Sequence, residues 1–186
     1  MQPIKRLTEI LEQHADSEHS LFALSDLRAA MPDLSDAALH VLLNRAVGKK
    51  VLARVCRGIY VREQAMTNDG LLLFHVAVRL RANAFNYISL ESALSDAGVI
   101  SQLPQQWVTI MSSGRSNTIS CGRWGNIEFV HTRNTPQKVA ERVSYDTRCG
   151  MWRATIDLAL QDMRRARRPM DLINRELADE LIRSSR

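Results

Sequence analysis

The sequence has few cysteines and no long apolar run, and each shortage removes a class of protein. Cys56, Cys121 and Cys149 stand far apart, without a CxxC pair or a Cys/His group at zinc-ligand spacing. We therefore expect reduced thiols in a cytoplasmic protein, and no bound metal. The longest apolar run, 71–80, contains a histidine and an arginine and is shorter than the roughly 20 residues of a membrane span. The first residues lack the apolar core of a signal peptide, so no membrane partner is expected.

Motifs that carry catalysis are also missing. HExxH, the Walker lysine and the Gly-Ser plus Asp-x-Asp pattern of nucleotidyltransferases are absent. The polar stretch Ser113–Ser116 contains a glycine and an arginine, but no helix is predicted after it, so we expect a turn and not a nucleotide-binding loop. Cys121 and His131 fall on neighbouring predicted strands, which leaves open a Cys–His pair, although packing more often explains such residues. We predict no catalytic site, no enzyme activity and no cofactor.

The N-terminal third contains helical periodicity and capping residues. Apolar spacing predicts a first helix over 4–14. Ser25 is predicted to N-cap a second helix over Asp26–Met31, which Pro32 ends. Ser35 is the next predicted N-cap, and it opens a third helix.

The third predicted helix is followed by a predicted ribbon. Gly48 suits the C-cap of this helix. Val51–Cys56 and Ile59–Val61 are predicted strands, joined by a turn at Arg57 and Gly58. Three helices and a hairpin in this order predict a winged helix-turn-helix domain over residues 1–65. The apolar stripe of the third helix consists of Leu39, Leu42, Leu43 and Ala46.

Charge in this third is balanced in total but uneven along the chain. Residues 1–65 hold nine Lys or Arg and eight Asp or Glu, and no acid lies within 45–62. Cations at a helix C-terminus complement the helix dipole, which explains Lys49 and Lys50 but not Arg54 and Arg57. A local basic patch on a helix end and a ribbon predicts binding to DNA phosphates. The six cations are Arg45, Lys49, Lys50, Arg54, Arg57 and Arg62.

Residue chemistry divides the predicted DNA-binding surface by task. His40 and Asn44 are four residues apart, hence on one face, and both can hydrogen-bond base edges. Arg45 could reach a base or a phosphate. Arg57 at the tip of the ribbon could contact a minor groove or a phosphate. Lys49, Lys50 and Arg54 are expected to contact phosphates. The predicted DNA-binding residues are Ser35, His40, Asn44, Arg45, Lys49, Lys50, Arg54 and Arg57.

Residues 68–186 are predicted to form a small mixed domain of helices and antiparallel strands, so that the whole chain is of the α+β class. Four arginines between 164 and 168 are either a solvated helix end, a further DNA-phosphate contact or a dock for an acidic partner. The predicted helices are 71–81, 90–97 (with Ser89 as N-cap), 136–147, 151–168 and 170–182. The predicted strands are Trp107–Met111, Thr118–Cys121 and Asn126–His131.

Three segments, in this order and spacing, resemble AbiEi-type antitoxins of type IV toxin–antitoxin and abortive-infection operons. The first is the ribbon with its Arg57–Tyr60 turn, the second is the Y-I-S-x-x-S-A-L segment Tyr87–Leu94, and the third is the I-E-F-x-H segment Ile127–His131. The resemblance covers roughly residues 20–135. It does not extend to Cys149–Leu158, where an apolar helix is expected but the family's proline- and glutamate-bearing helix start is missing.

The resemblance implies a function for each part of the chain. It implies an N-terminal domain that binds double-stranded operator DNA, as a monomer or a dimer, and represses its own operon. It also implies a second domain that counteracts a toxin with a nucleotidyltransferase fold. A stand-alone transcriptional regulator, with a second domain that senses a ligand or dimerises, is the alternative.

Overall fold

A computed structural model of the protein describes residues 2–16, 19–100 and 106–184. The chain divides into two compact units, Met1–Asp69 and Gly70–Arg186. Each unit combines helices with a sheet, and this confirms the predicted α+β class. In the part of the chain that the structure describes, no helix has the length and apolar character that a membrane crossing requires.

The first unit contains three helices and a three-stranded antiparallel sheet. The chain enters the sheet between its first and second helices and returns to it after the third. A single 3₁₀ turn, Glu63–Ala65, follows the last strand. The elements are α1 (Pro3–His14), β1 (Leu21–Ala23), α2 (Leu24–Ala30), α3 (Asp36–Gly48), β2 (Ala53–Cys56) and β3 (Ile59–Val61).

Strand β1 was not predicted from the sequence. It pairs with β3, where Phe22 lies opposite Tyr60, and the sheet order is β1-β3-β2. Three residues are too few to display an alternating pattern, and a strand of this length is stable only because β3 is already present. The predicted two-stranded ribbon therefore corresponds to two of the three strands of a small sheet.

One apolar cluster joins the helices of the first unit to its sheet. The predicted stripe of α3 is buried, as expected. Leu52 and Tyr60 bring the sheet side into the same cluster. The members are Leu7, Leu11, Leu27, Met31, Leu39, Leu42, Leu43, Ala46, Leu52 and Tyr60.

Two of the predicted helix boundaries in this unit are wrong. Helix α2 begins one residue before Ser25, and its N-cap is Ala23, whose N–H donates to the Asp26 carboxylate at 2.9 Å. Gly48 is the last helical residue of α3 and does not adopt the left-handed conformation that favours glycine. Lys50 does, with a φ of 58°.

The second unit is built on a six-stranded sheet. Short 3₁₀ turns at Gly122–Trp124 and Ala140–Arg142 join some of its elements. The helices are α4 (Leu72–Leu80), α5 (Leu90–Asp96), α6 (Pro136–Val139), α7 (Ile156–Arg165) and α8 (Arg175–Ser184). The strands are β4 (Asn86–Ile88), β5 (Trp107–Ser112), β6 (Asn117–Ser120), β7 (Asn126–His131), β8 (Val143–Asp146) and β9 (Met151–Ala154).

The sheet is mixed, so the prediction of a small antiparallel sheet is wrong. Its order is β6-β7-β5-β4-β9-β8. The pairs β5–β7 and β4–β9 are parallel and the others are antiparallel. Strands β8 and β9 occupy the positions of a predicted helix end at 147 and a predicted helix start at 151. Helix α7 starts only at Ile156, after Thr155, whose hydroxyl accepts the Leu158 N–H.

In the second unit the predicted side-chain cap of α5 and the predicted start of the last helix are wrong for local reasons, although α5 begins at Leu90 as predicted. Ser89 precedes α5, but its side chain does not cap that helix, because the hydroxyl donates to the Asp162 carboxylate at 2.8 Å. The last helix begins at Arg175 and not at Met170. Asn174 terminates the preceding loop by accepting the Leu177 N–H at 3.1 Å.

Candidate nucleic-acid interface

Helix α3 presents a polar face opposite its buried stripe. Because Leu39 and Leu43 are held in the core, His40 and Asn44 must point outward, and both are exposed. They lie one helical turn apart on the same face. Ser35 sits at the start of this helix, where its hydroxyl accepts the Ala38 N–H at 3.2 Å. The structure thus gives Ser35 a capping role, which is compatible with an exposed position at the helix start.

An apolar groove lies along another part of the α3 surface. The groove, of about 620 Å³, runs between α3 and the first residues of α1. Arg45 and Lys49 line it together with Val41, whose exposed fraction is 50 %. His40 and Asn44 are not among its lining residues.

Backbone hydrogen bonds couple the end of α3 to the sheet. The Val51 N–H donates to the carbonyl of Ala46 at 2.9 Å, and the Lys50 N–H donates to the carbonyl of Val47 at 3.0 Å. The chain therefore turns tightly between the helix and β2. Lys49 and Lys50 lie in this turn and are both exposed.

The other two cations, Arg54 and Arg57, lie on β2 and in the turn between β2 and β3. Gly58 has a φ of 78°, a conformation that costs glycine nothing, so the turn needs a glycine here. The Gly58 carbonyl accepts the Leu24 N–H at 2.8 Å, which fixes the turn against the start of α2. Arg57 is exposed in this turn. Arg54 is exposed on β2, and its Nε donates to the Cys56 carbonyl at 3.4 Å.

Ion pairing distinguishes the cations of this surface from the other arginines of the first unit. Arg6 pairs with Asp33 and Arg28 with Asp36. Arg62 belongs to the acid-free stretch in sequence, yet it pairs in space with Glu12 at 3.6 Å. Among the described residues of the first unit, the cations without a carboxylate partner are Arg45, Lys49, Lys50, Arg54 and Arg57.

The arginines at the end of α7 belong to the second unit and differ from one another. Arg168 is only partly exposed and forms ion pairs with Glu91 and Glu128. Arg165 is exposed, with a guanidinium nitrogen 3.5 Å from the Asn134 amide oxygen. The predicted cluster is therefore in part an internal ion-pair network, and Arg168 is not available as a phosphate contact.

The structure separates the Cys–His pair that the sequence left open. Cys121 precedes β7 and donates its N–H to the Gly125 carbonyl at 2.7 Å, whereas His131 is the last residue of β7. The length of a six-residue strand, roughly 16 Å, lies between them. Cys121 is buried. Cys149 is buried as well, and burial raises the pKa of its thiol to about 11.

A buried polar cluster in the second unit was not predicted. One carboxylate oxygen of Asp162 accepts the hydroxyls of Tyr87 at 2.9 Å and of Ser89 at 2.8 Å. The other, Oδ1, has no hydrogen-bond partner among the described residues. Burial raises the pKa of Tyr87 to about 12 and raises the pKa of Asp162 as well. All three side chains are buried, and Asn134 closes the cluster by donating to the Tyr87 hydroxyl.

Comparisons with known proteins add no family to this description. No protein-family model matches the chain. No curated protein matches it either.

Proposed function

We propose that the first unit is a winged helix-turn-helix that binds double-stranded operator DNA and that the protein represses its own transcription. The observation that carries the proposal is the set of five cations without carboxylate partners at the end of α3, on β2 and in the β2–β3 turn. Unpaired cations in one region attract phosphates because binding releases counterions from DNA. Arginines elsewhere in this unit are neutralised by neighbouring acids.

The arrangement of elements supports the same proposal. Helix-turn-helix proteins place a recognition helix in the major groove. Helix α3 has a buried stripe and an exposed polar face, as that role requires. His40 and Asn44 would contact base edges, while Lys50 and Arg57, on either side of β2, would contact phosphates.

The second part of the proposal is that the second unit counteracts a toxin with a nucleotidyltransferase fold. It rests on the resemblance of Tyr87–Leu94 and Ile127–His131 to AbiEi-type antitoxins. These segments form β4 with the start of α5, and β7, so both contribute a strand that has a neighbour on each side in the second sheet. A stand-alone regulator is the second candidate, and a cavity beside Arg81 and Arg115 in this unit favours it.

Fluorescence anisotropy with the DNA fragment upstream of the gene tests the operator proposal. Arg57→Ala and Lys50→Ala should weaken binding to every sequence and reduce the slope of log affinity against log salt by about 1 each. His40→Ala and Asn44→Ala should instead reduce the preference for the upstream fragment over unrelated DNA, because they remove contacts to bases and not to phosphates.

Arg62→Ala is the matched control. It removes the same charge from the same stretch of sequence, but from a side chain that Glu12 already neutralises. The affinity of the Arg62→Ala variant for the upstream DNA, and the slope of log affinity against log salt, should stay close to those of the unmodified protein. Equal losses for Arg62→Ala and Arg57→Ala, or no loss in any of the four variants, would exclude this surface as the DNA interface.

A further inference from the structure

The second unit contains a cavity that concentrates positive charge. It has a volume of about 620 Å³ and lies between the end of α4, the turn that follows, and the β5–β6 connection. Arg79, Arg81 and Arg115 line it, and no aspartate or glutamate is among its lining residues. The other polar groups that line it are Asn83, Ser116 and Asn117.

Arg81 is held in a fixed position at the wall of this cavity. Its guanidinium donates to the Ser112 hydroxyl at 2.8 Å, to the Arg115 carbonyl and to the Asn117 amide oxygen. Its flat face lies over the Phe129 ring, 3.9 Å from the centroid. A guanidinium constrained on this many sides loses little further freedom when it binds a ligand.

A second layer of hydrogen bonds supports this position. The Ser112 hydroxyl donates to the Asn86 amide oxygen at 2.7 Å. Gly114 lies against Arg81 so closely that a Cβ at this position would be 2.8 Å from a guanidinium nitrogen. A larger residue at this position would therefore displace the end of the Arg81 side chain, whereas the backbone angles of Gly114 do not call for glycine.

Arg81 has no carboxylate partner among the described residues, whereas three other partly buried arginines of this unit have one or two. Arg153 pairs with Asp96 and Asp146, Arg168 pairs with two glutamates, and Arg142 pairs with Asp157. The acceptors around Arg81 are all neutral. Burial and repulsion from Arg115 lower the pKa of Arg81, which is the expected effect of two cations that share a site without an anion.

Arg115 completes the cavity as an adjustable partner. It is exposed, and its guanidinium has no hydrogen bond or ion pair within residues 2–16, 19–100 and 106–184. Its neighbours can still donate: the Asn117 amide oxygen accepts from Arg81, which leaves the amide nitrogen free, and Ser116 accepts the His131 N–H at 2.8 Å.

We propose that this cavity binds the phosphate group of a small phosphorylated molecule of about the size of a sugar phosphate or mononucleotide. Guanidinium groups match phosphate oxygens in geometry and charge. The volume lies within the range of small-molecule sites, about 300–1,000 Å³. A nucleic-acid strand would need a track of cations, whereas here three arginines converge on one concavity. The site is independent of the proposed operator surface, which lies in the first unit.

A ³¹P NMR titration of the full chain at constant ionic strength tests the proposal. The probes are inorganic phosphate, ribose 5-phosphate and AMP, with adenosine as a competitor that lacks phosphate. Both esters should bind saturably at one site per chain, should displace each other, and should bind more tightly than inorganic phosphate. Adenosine should not displace them.

Variants then locate the site. Arg115→Ala should weaken ester binding about tenfold, because it removes a charged donor. Gly114→Ala keeps every charge but forces the Arg81 guanidinium to move, and it should cause a similar loss. Arg175→Ala, at the exposed start of α8 and outside the cavity, should have no effect. Circular dichroism spectra of the three variants should match the unmodified protein.

Other outcomes would overturn the inference. Failure of all three phosphates to bind would exclude a phosphate site. Equal affinity for inorganic phosphate and both esters would exclude a ligand of the proposed size. Unchanged binding in Arg115→Ala would place the site elsewhere. Displacement of the esters by an oligothymidylate without terminal phosphates would indicate a polynucleotide instead.

Discussion

At the scale of single residues, Lys50 combines an unfavourable backbone conformation with an exposed charge. Its φ of 58° places it in the left-handed region, where a side chain costs about 1 kcal/mol. Glycine or asparagine normally occupies such a position after a helix. A lysine is therefore unfavourable for the backbone at this position. Its side chain has no carboxylate partner among the described residues. Phosphate binding would account for both facts.

Replacing Lys50 by glycine should separate stability from DNA affinity. We expect Lys50→Gly to stabilise the first unit by roughly 0.5 kcal/mol, since relief of strain exceeds the added entropy of the unfolded chain. Hydrogen exchange of α3 peptides should slow by about twofold, while affinity for the upstream DNA falls. Lys50→Ala is the control, since it loses the charge but keeps the strained backbone. Faster exchange in the glycine variant would contradict the prediction.

Asp162 is a buried carboxyl group whose pKa the fold changes. Burial raises its pKa, and the hydrogen bonds from Ser89 and Tyr87 only partly oppose that effect. The folded state therefore prefers the protonated carboxyl. This advantage is complete below the unfolded pKa of about 3.9 and is lost as the pH rises through the higher folded value. At neutral pH an ionised Asp162 is a cost to the second unit.

Asp162→Asn should become more stabilising, relative to the unmodified protein, as the pH increases from about 4 to neutral. Asparagine has the same shape and cannot ionise. Its amide oxygen can still accept from Tyr87 and Ser89. Urea midpoints followed by tryptophan fluorescence report on the second unit, which holds all three tryptophans. Asp171→Asn, at an exposed carboxyl, should show no such trend. A pH-independent difference for Asp162→Asn would contradict the prediction.

At the scale of elements, sequence patterns predicted the long helix α3 well and the short strands poorly. Helix α3 was predicted together with its N-cap Ser35 and its buried stripe, because thirteen residues contain several turns of periodicity. Strands β1 and β4 have three residues each, too few for alternation to appear. Strand β9 was absorbed into the prediction for α7, since its four residues continue the apolar spacing of that helix.

In the candidate sites, residues that are close in sequence could be grouped from the sequence, whereas contacts between distant residues could not be predicted. The cations at the end of α3 and on the ribbon are close in sequence, so a charge count was enough to group them. The pairing of Arg62 with Glu12 joins residues 50 positions apart and could not be seen. In the cavity of the second unit, Arg81 meets Gly114 and Arg115 only because α4 and the β5–β6 connection end at the same place. The segment 113–116 was predicted to be a turn, and it joins β5 to β6.

At the scale of the whole molecule, the division into two compact units predicts that the two proposed activities can be separated. Arg57→Ala should release repression of a reporter behind the gene's own promoter. The same variant, co-expressed with the neighbouring gene, should still rescue growth, because Arg57 lies in the first unit. Immunoblots should show equal protein levels. Loss of rescue in this variant would contradict the separation, and a neighbouring gene that is harmless alone would favour the stand-alone regulator.

The parallel pairing of β4 with β9 affects the order in which the two units can fold during synthesis. Tyr87 pairs with Trp152, roughly 65 residues later in the chain. The central strand of the second sheet therefore lacks one neighbour until most of the protein has left the ribosome. The contacts of the first unit close within its own first 69 residues. Because long-range pairing slows folding, a nascent chain would hold its first unit folded while the second sheet is still incomplete.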